Sequence, residues 1–209
     1  MIYDISLSVT EALAGWPGQG NPEFTFTSHQ SRGDTATGTH LAMSVHTGTH
    51  LDAPLHFIRG ATGVDQLDLE KLIGPAYVVH ALDVDTITAP VLESLAIPPG
   101  TVRLLIRTRN SDWWARGDDR EFHTDYVAIE PDAADWIVAH DIVCVGVDYL
   151  SVAPWANGAP THVKLLANGV IPVEGLNLHG IERGAYQLIC LPIKLKDRDG
   201  APCRAVLVR

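Results

Sequence analysis

The chain has 209 residues, 46% apolar and 19% charged, which suits one globular domain with a sizeable core. Its formal net charge of -10 at pH 7 gives no electrostatic footprint for nucleic acid or an anionic lipid surface, so neither is expected as a partner. Its three widely spaced cysteines, Cys144, Cys190 and Cys203, do not form a disulfide framework, and Cys144 and Cys190 sit in apolar runs as core thiols. Met1 to Ile5 has neither a basic n-region nor an apolar h-region, and no apolar run reaches the length of a membrane span. The expected compartment is the cytoplasm.

Ile2 to Leu7 alternates apolar and polar residues as a strand does. Trp16-Pro17-Gly18 and Asn21-Pro22 are turn signals. Phe24 to Ser28 alternates again, and Thr39 to Val45 reads as a strand leading into a histidine-rich run. Tyr77 to Leu82 reads as a buried strand. Thr88 is placed to cap a short helix through Leu95, with Pro90 in its first turn. Pro98-Pro99-Gly100 then forces a turn before a strand from Val102 to Thr108. The charged segment from Arg116 to Glu121 reads as an exposed loop. A helix is expected from Pro131 to His140, with Ala134, Ile137 and Val138 on one face, followed by a buried strand from Ile142 to Val147. Further strands are expected over Val170 to Leu176, Tyr186 to Leu195 and Ala205 to Val208. Strands outnumber helices, and the helices fall between strands. The expected fold is α/β, a mixed sheet or barrel-like core with a few peripheral helices, in a single domain over 1–209.

Four of the ten histidines fall between His40 and His56. Three of them form, with one aspartate, the pattern H-x-x-x-H-x-D-x-x-x-H: His46, His50, Asp52 and His56. Imidazole and carboxylate are the usual ligands of a catalytic divalent ion. All four positions have the same parity, so an extended chain would point them to one face. A straight strand cannot bring them together, because His46 to Asp52 would span on the order of 20 Å at about 3.3 Å per residue, whereas ligands lie only about 2 Å from their ion. The segment must curl, and Gly48 and Pro54 sit where a curl is needed. A tight loop off a strand end is expected. A second patch lies downstream, where His162 precedes the turn signal Asn168-Gly169, and Glu174 sits among apolar residues in an expected buried strand. A buried carboxylate needs a partner or a metal. On the residues alone, His162 is either a surface histidine or a ligand, and Glu174 meets either an arginine or a metal.

Written H-T-G-T-H-L-D-A-P-L-H-F, the run His46 to Phe57 resembles that of the cyclase-like metal-dependent hydrolases, which include bacterial kynurenine formamidases and isatin hydrolases. Trp16-Pro17-Gly18, Gly146-Val147-Asp148 and the stretch from Gly184 to Pro192 resemble other parts of that family, so the likeness covers nearly the whole chain. The resemblance implies a swivelling β/β/α fold. It implies that His46, His50 and Asp52 are metal ligands, with Asp52 placed to bridge two ions, that His162 and Glu174 complete a two-metal site, and that His56 is the catalytic histidine. Isatin hydrolase-like members are expected to lack the second His/Glu pair and to hold one manganese ion, so the two-metal branch is favoured here. The implied cofactor is a divalent metal, two Zn2+ per subunit or Mn2+. The implied partners are a small aromatic amide and further copies of the chain, as a homodimer or homotetramer.

The resulting expectation is an arylformamidase-like amidohydrolase, in which hydroxide generated by the metal attacks a small N-formyl aryl amide and His56 acts as general acid and base. A ring-opening hydrolase of a cyclic amide such as isatin, or a cyclase-type enzyme, is the second reading, and a metal-stabilised binding protein without turnover is the third. An open metal position beside an unligated His56 separates catalysis from a closed structural site. Trp16, Trp113, Trp114 and Trp155 are either core residues or walls of an aromatic pocket, and the resemblance favours Trp16 as a substrate-binding residue. Asp148 either bonds a ligand histidine or caps a turn. His123 and His140 read as solvated surface residues, and His40, His80 and His179 match no motif.

Overall fold

The computed structural model describes residues 1–117 and 120–209. Its strands are β1 (Ile2–Asp4), β2 (Glu23–Ser28), β3 (Gly38–Ala42), β4 (His50–Asp52), β5 (Ile73–His80), β6 (Arg103–Arg107), β7 (Cys144–Val147), β8 (Ile171–Glu174), β9 (Gly184–Pro192) and β10 (Gly200–Val208). Its helices are α1 (Ala89–Ser94), α2 (Ser111–Arg116), α3 (Pro131–Ala139) and α4 (Ala159–Ala167). Seven strands close a mixed barrel in the order β10-β4-β8-β7-β6-β5-β9 and back to β10, and β1 adds to β10. Strands β5 to β8 run parallel, and every other pairing in the barrel is antiparallel.

The parallel stretch explains where the helices go. Parallel neighbours need crossover connections, and helices in those crossovers cover the outer face of the sheet. Leu104, Ile106, Val145 and Val147 therefore pack outward with Ala134, Ile137 and Leu165, while Leu105 and Cys144 face the barrel interior with Leu51, Val78 and Leu207. The interior is narrow: a Cβ on Gly146 would come within 2.4 Å of Leu105 and 2.7 Å of Leu176.

Several local expectations are corrected. Strand β3 stops at Ala42 and pairs only with β2, in a separate exposed hairpin, instead of feeding the histidine run. The middle of that run is not a loop: His50 to Asp52 is a fully buried strand between β10 and β8. Thr88 occupies the N-cap position of α1, but its side chain makes no cap bond there. The Ala89 N–H donates instead to Asp132 Oδ2 at 3.1 Å. Helices α2 and α4 were not expected. Of the charged segment 116–121, Arg116 ends α2 and Arg120 and Glu121 are exposed, while Asp118 and Asp119 lie outside the described residues. Among the described residues, no helix is long and apolar enough to cross a membrane.

Candidate metal centre

Four segments converge at one end of the barrel. The chain turns at Gly48, whose φ of 62° is left-handed, and enters β4 with His50 and Asp52. The 3-10 turn Pro54–His56 then curls the chain back and carries His56. In the sheet register His50 stands opposite Glu174 at the end of β8, and His162 comes from α4. Thr49 stitches the turn in place: its hydroxyl donates to the Gly175 carbonyl at 2.5 Å and accepts from the Leu7 N–H at 2.8 Å. Phe57 stacks on the His162 ring, with centroids 4.3 Å apart.

These placements give two triads that share Asp52: His46, His50 and Asp52, and Asp52, His162 and Glu174. Asp52 Oδ1 lies 3.0 Å from His46 Nδ1 and 3.9 Å from His50 Nε2, and Asp52 Oδ2 lies 3.6 Å from His162 Nε2. Glu174 reaches His50 Nε2 at 3.0 Å and His162 Nε2 at 3.3 Å. A third and more exposed group, His46, His56 and Asp199, adjoins the first.

The residues fit a divalent ion by their own geometry. Both carboxylate oxygens of Asp52 and Nε2 of His50 are buried with no hydrogen-bond partner, although imidazole and carboxylate neighbours stand 3.0 to 3.9 Å away. At these distances the misalignment is the informative point: the donor atoms aim at a shared space rather than at each other. His50 and His162 each donate Nδ1–H to a backbone carbonyl, Gly48 and Gly158 respectively, both at 2.9 Å. That turns Nε2 of each ring toward the carboxylates, where a neutral ring would offer its lone pair to an ion as ligand histidines do, while His162 Nε2 can otherwise donate to Glu174 Oε1 at 3.3 Å. Two buried carboxylates without a cation would carry a heavy desolvation cost. Imidazole nitrogens and carboxylate oxygens suit zinc and manganese alike.

The proton affinities report the same crowding. Burial works to lower His46, but the carboxylates of Asp52 and Asp199 outweigh it and raise the ring to about 9. Burial also opposes the charged form of His162, and Glu174 and Asp52 again win and raise it. Burial would raise Glu174, yet His162 and His50 hold it below the usual carboxylate range. His56 goes the other way, because burial lowers it.

A cavity of about 290 Å3 opens above the cluster, with His46, His50, His56, His162 and Glu174 lining one side. Trp16, Phe57, Leu150, Pro154 and Trp155 line the other side, and the rings of Trp16 and Trp155 lie 5.1 Å apart. Trp113 and Trp114 lie elsewhere, which narrows the four candidate tryptophans to two. Trp114 Nε1–H donates to the Asp148 carbonyl at 2.9 Å, and Trp113 stacks on His123 at 4.1 Å. His123 is therefore a partly buried stacking residue rather than a solvated one, whereas His140 is exposed. Asp148 reaches no ligand histidine. Its carboxylate accepts from the N–H and hydroxyl of both Thr108 and Ser111, and so holds the start of α2, although burial raises its proton affinity. His40, His80 and His179 stand apart from the cluster. The reading of the sequence missed Asp199, whose Oδ2 lies 2.8 Å from His46 Nε2 and 3.4 Å from His56 Nδ1.

Residues 3–154 match a family described as putative cyclase. A curated relative, cyclase-like protein 3 of Oryza sativa subsp. japonica, is 40% identical over 219 residues, spanning 100% of this chain and 80% of its own length. Kynurenine formamidase of Salinibacter ruber is 36% identical over 212 residues, spanning 99% of this chain and 96% of its own. Among solved structures, a predicted metal-dependent hydrolase from Bacillus stearothermophilus superposes with a TM-score of 0.83 at 31% identity, covering 99% of this chain and 97% of that one.

Proposed function

The chain belongs to the putative cyclase family, and from that premise we propose that it is a metal-dependent amidohydrolase of the arylformamidase type, acting on a small N-formyl aryl amide. His46, His50 and Asp52 would hold one divalent ion and Asp52, His162 and Glu174 a second, with zinc or manganese suiting both sets. When bound, such ions act as Lewis acids toward a carbonyl oxygen and bring the pKa of water from about 15.7 to about 7.

The protein's own groups do the rest. Trp16, Phe57 and Trp155 give the cavity an aromatic wall, which supports an aryl substrate with its amide turned toward the histidines. His56 belongs to neither triad that shares Asp52, and it lines the cavity. Burial lowers its proton affinity, so at neutral pH the ring is neutral and able to accept a proton. In this reading His56 takes a proton from the attacking water as its oxygen bonds to the formyl carbon. It returns the proton to the nitrogen as the C–N bond breaks, giving formate and the free aryl amine.

One observation carries the proposal: two ligand triads sharing an unpartnered buried carboxylate, open to an aromatic cavity that also holds a histidine outside both. A purely structural site would be closed by its protein ligands. Assembly as a homodimer or homotetramer belongs to the same proposal. Phe24, Phe26 and Leu41 share one face of the β2–β3 hairpin and are exposed, which supports burial against another copy. The test of function is turnover of N-formylkynurenine, other aryl formamides and isatin by zinc- and manganese-loaded protein. Hydrolysis of the formamides in preference to isatin is expected, and failure to turn over any aryl formamide would contradict the proposal.

A further inference from the structure

Asp199 lies in the turn that leads into β10, and its backbone ties that turn to the ligand strand. The Asp199 carbonyl accepts from the N–H of Ala53, the residue after Asp52, at 2.8 Å. The Arg198 carbonyl accepts from the Val64 N–H at 2.8 Å. Gly200 keeps the approach open, since a Cβ there would come within 2.8 Å of His46 Cε1 and 2.9 Å of the Leu51 carbonyl oxygen. One oxygen of Asp199 then stands between two rings, 2.8 Å from His46 Nε2 and 3.4 Å from His56 Nδ1. The rings themselves are 4.1 Å apart and tilted by 31°.

The three candidate ligand histidines are therefore oriented in two different ways. His50 and His162 give Nδ1–H to a backbone carbonyl and turn Nε2 to the cluster. His46 gives Nε2–H to Asp199 and turns Nδ1 to Asp52 Oδ1 at 3.0 Å. Resting on the metal-hydrolase reading above, we propose that Asp199 is the positioning residue of the site. It makes His46 the one histidine that offers Nδ1 to the metal cluster. Its charge also stands 3.4 Å from His56 Nδ1, which favours the proton on that nitrogen and leaves Nε2 free to work in the cavity. Carboxylate partners of this kind fix the ring and the tautomer of a ligand histidine, and their loss typically costs 10- to 100-fold in metal affinity.

The test uses wild-type, Asp199→Asn and Asp199→Ala protein labelled with 15N-histidine and loaded with zinc. Long-range 1H–15N correlation reads which ring nitrogen of each histidine is protonated, and competition with a chromogenic chelator reads zinc affinity. In the wild type, His50, His162 and His56 are expected to carry the proton on Nδ1 and His46 on Nε2. Asp199→Ala is expected to lose about 10- to 100-fold in zinc affinity and the single tautomer of His56. Asp199→Asn keeps an acceptor oxygen for the His46 N–H and should recover most of the affinity. Wild-type protein in which zinc sits on His46 Nε2 overturns the inference and leaves the metal-hydrolase reading standing. So does an Asp199→Ala protein with unchanged affinity and an unchanged His56 tautomer. Wild-type protein that takes up no zinc overturns the reading itself, before any variant is compared.

Discussion

Replacing Gly175 with alanine puts a methyl group where the two ligand-bearing strands touch. Gly175 follows Glu174 directly and has a φ of 68°. Its added Cβ would lie 2.2 Å from the Gly48 carbonyl oxygen, 2.7 Å from the Gly48 carbonyl carbon and 3.2 Å from the Thr49 N. All three are backbone atoms, so no side chain can swing away. Alanine in the left-handed region costs about 1–2 kcal/mol, and relieving overlap in a packed interior costs about 1–3 kcal/mol more. The sum is about 2–5 kcal/mol, which at about 2–4 °C per kcal/mol for a chain of this size lowers the melting temperature by roughly 4–20 °C. The relief also moves the turn that carries His50 away from Glu174, so zinc affinity should fall with stability. Circular dichroism melts of EDTA-treated protein isolate the packing cost from any stabilisation by bound metal, and a zinc titration then reads the site. Metal-free Gly175→Ala protein melting within about 1 °C of the wild type would refute the claimed close approach of the two strands.

Three further outcomes are expected. Folding raises His46 from 6.5 to about 9, so its stabilising contribution is complete below pH 6.5 and is lost as pH rises through about 9. Metal-free protein should therefore lose thermal stability between those values, while zinc-loaded protein, whose ligands are already deprotonated, should lose less; a flat melting temperature in the metal-free series would rule this out. Asp148→Ala strips the acceptor from four donors on Thr108 and Ser111, and should cost about 4 kcal/mol or more in urea unfolding, since each buried donor left unsatisfied costs about 1–3 kcal/mol; a loss below about 1 kcal/mol would contradict the role given to its hydrogen bonds. His56→Ala should keep its metal and lose about 10²- to 10⁴-fold in turnover, and retention of wild-type activity would remove His56 from the mechanism.

The spacing alone made the contiguous part of the candidate site legible; His162 and Glu174 were left as alternatives that only the family resemblance resolved, and Asp199 was not seen. Equal parity and limited reach between His46 and His56 required a curl, and the structure has one on each side of β4, at Gly48 and at Pro54–His56. The strand between them escaped notice because it is three residues long and owes its pairing to β8 and β10, which are distant in the chain. Helix α4 was hidden for a different reason. Its buried face consists of Thr161, His162, Leu165 and Leu166, so two of the four inward positions are polar and the apolar period is broken. The polar residues are there for the neighbourhood: Thr161 donates its hydroxyl to the Ile129 carbonyl, and His162 meets Glu174. Asp199 stands 153 residues from His46 in a charged stretch with no ligand-like spacing of its own, and only barrel closure through β10 brings it to the site. The buried strands β6 and β7 and helix α3 followed their apolar patterns, because the barrel and its helical layer use those patterns directly.

The central claim is that Asp52 joins two metal triads. Zinc titration of metal-stripped protein, followed by elemental analysis after gel filtration, tests it most directly. Two equivalents retained by the wild type, with both lost in Asp52→Ala, is the expected result. A wild-type protein that retains no metal, or an Asp52→Ala protein that retains as much as the wild type, would contradict it.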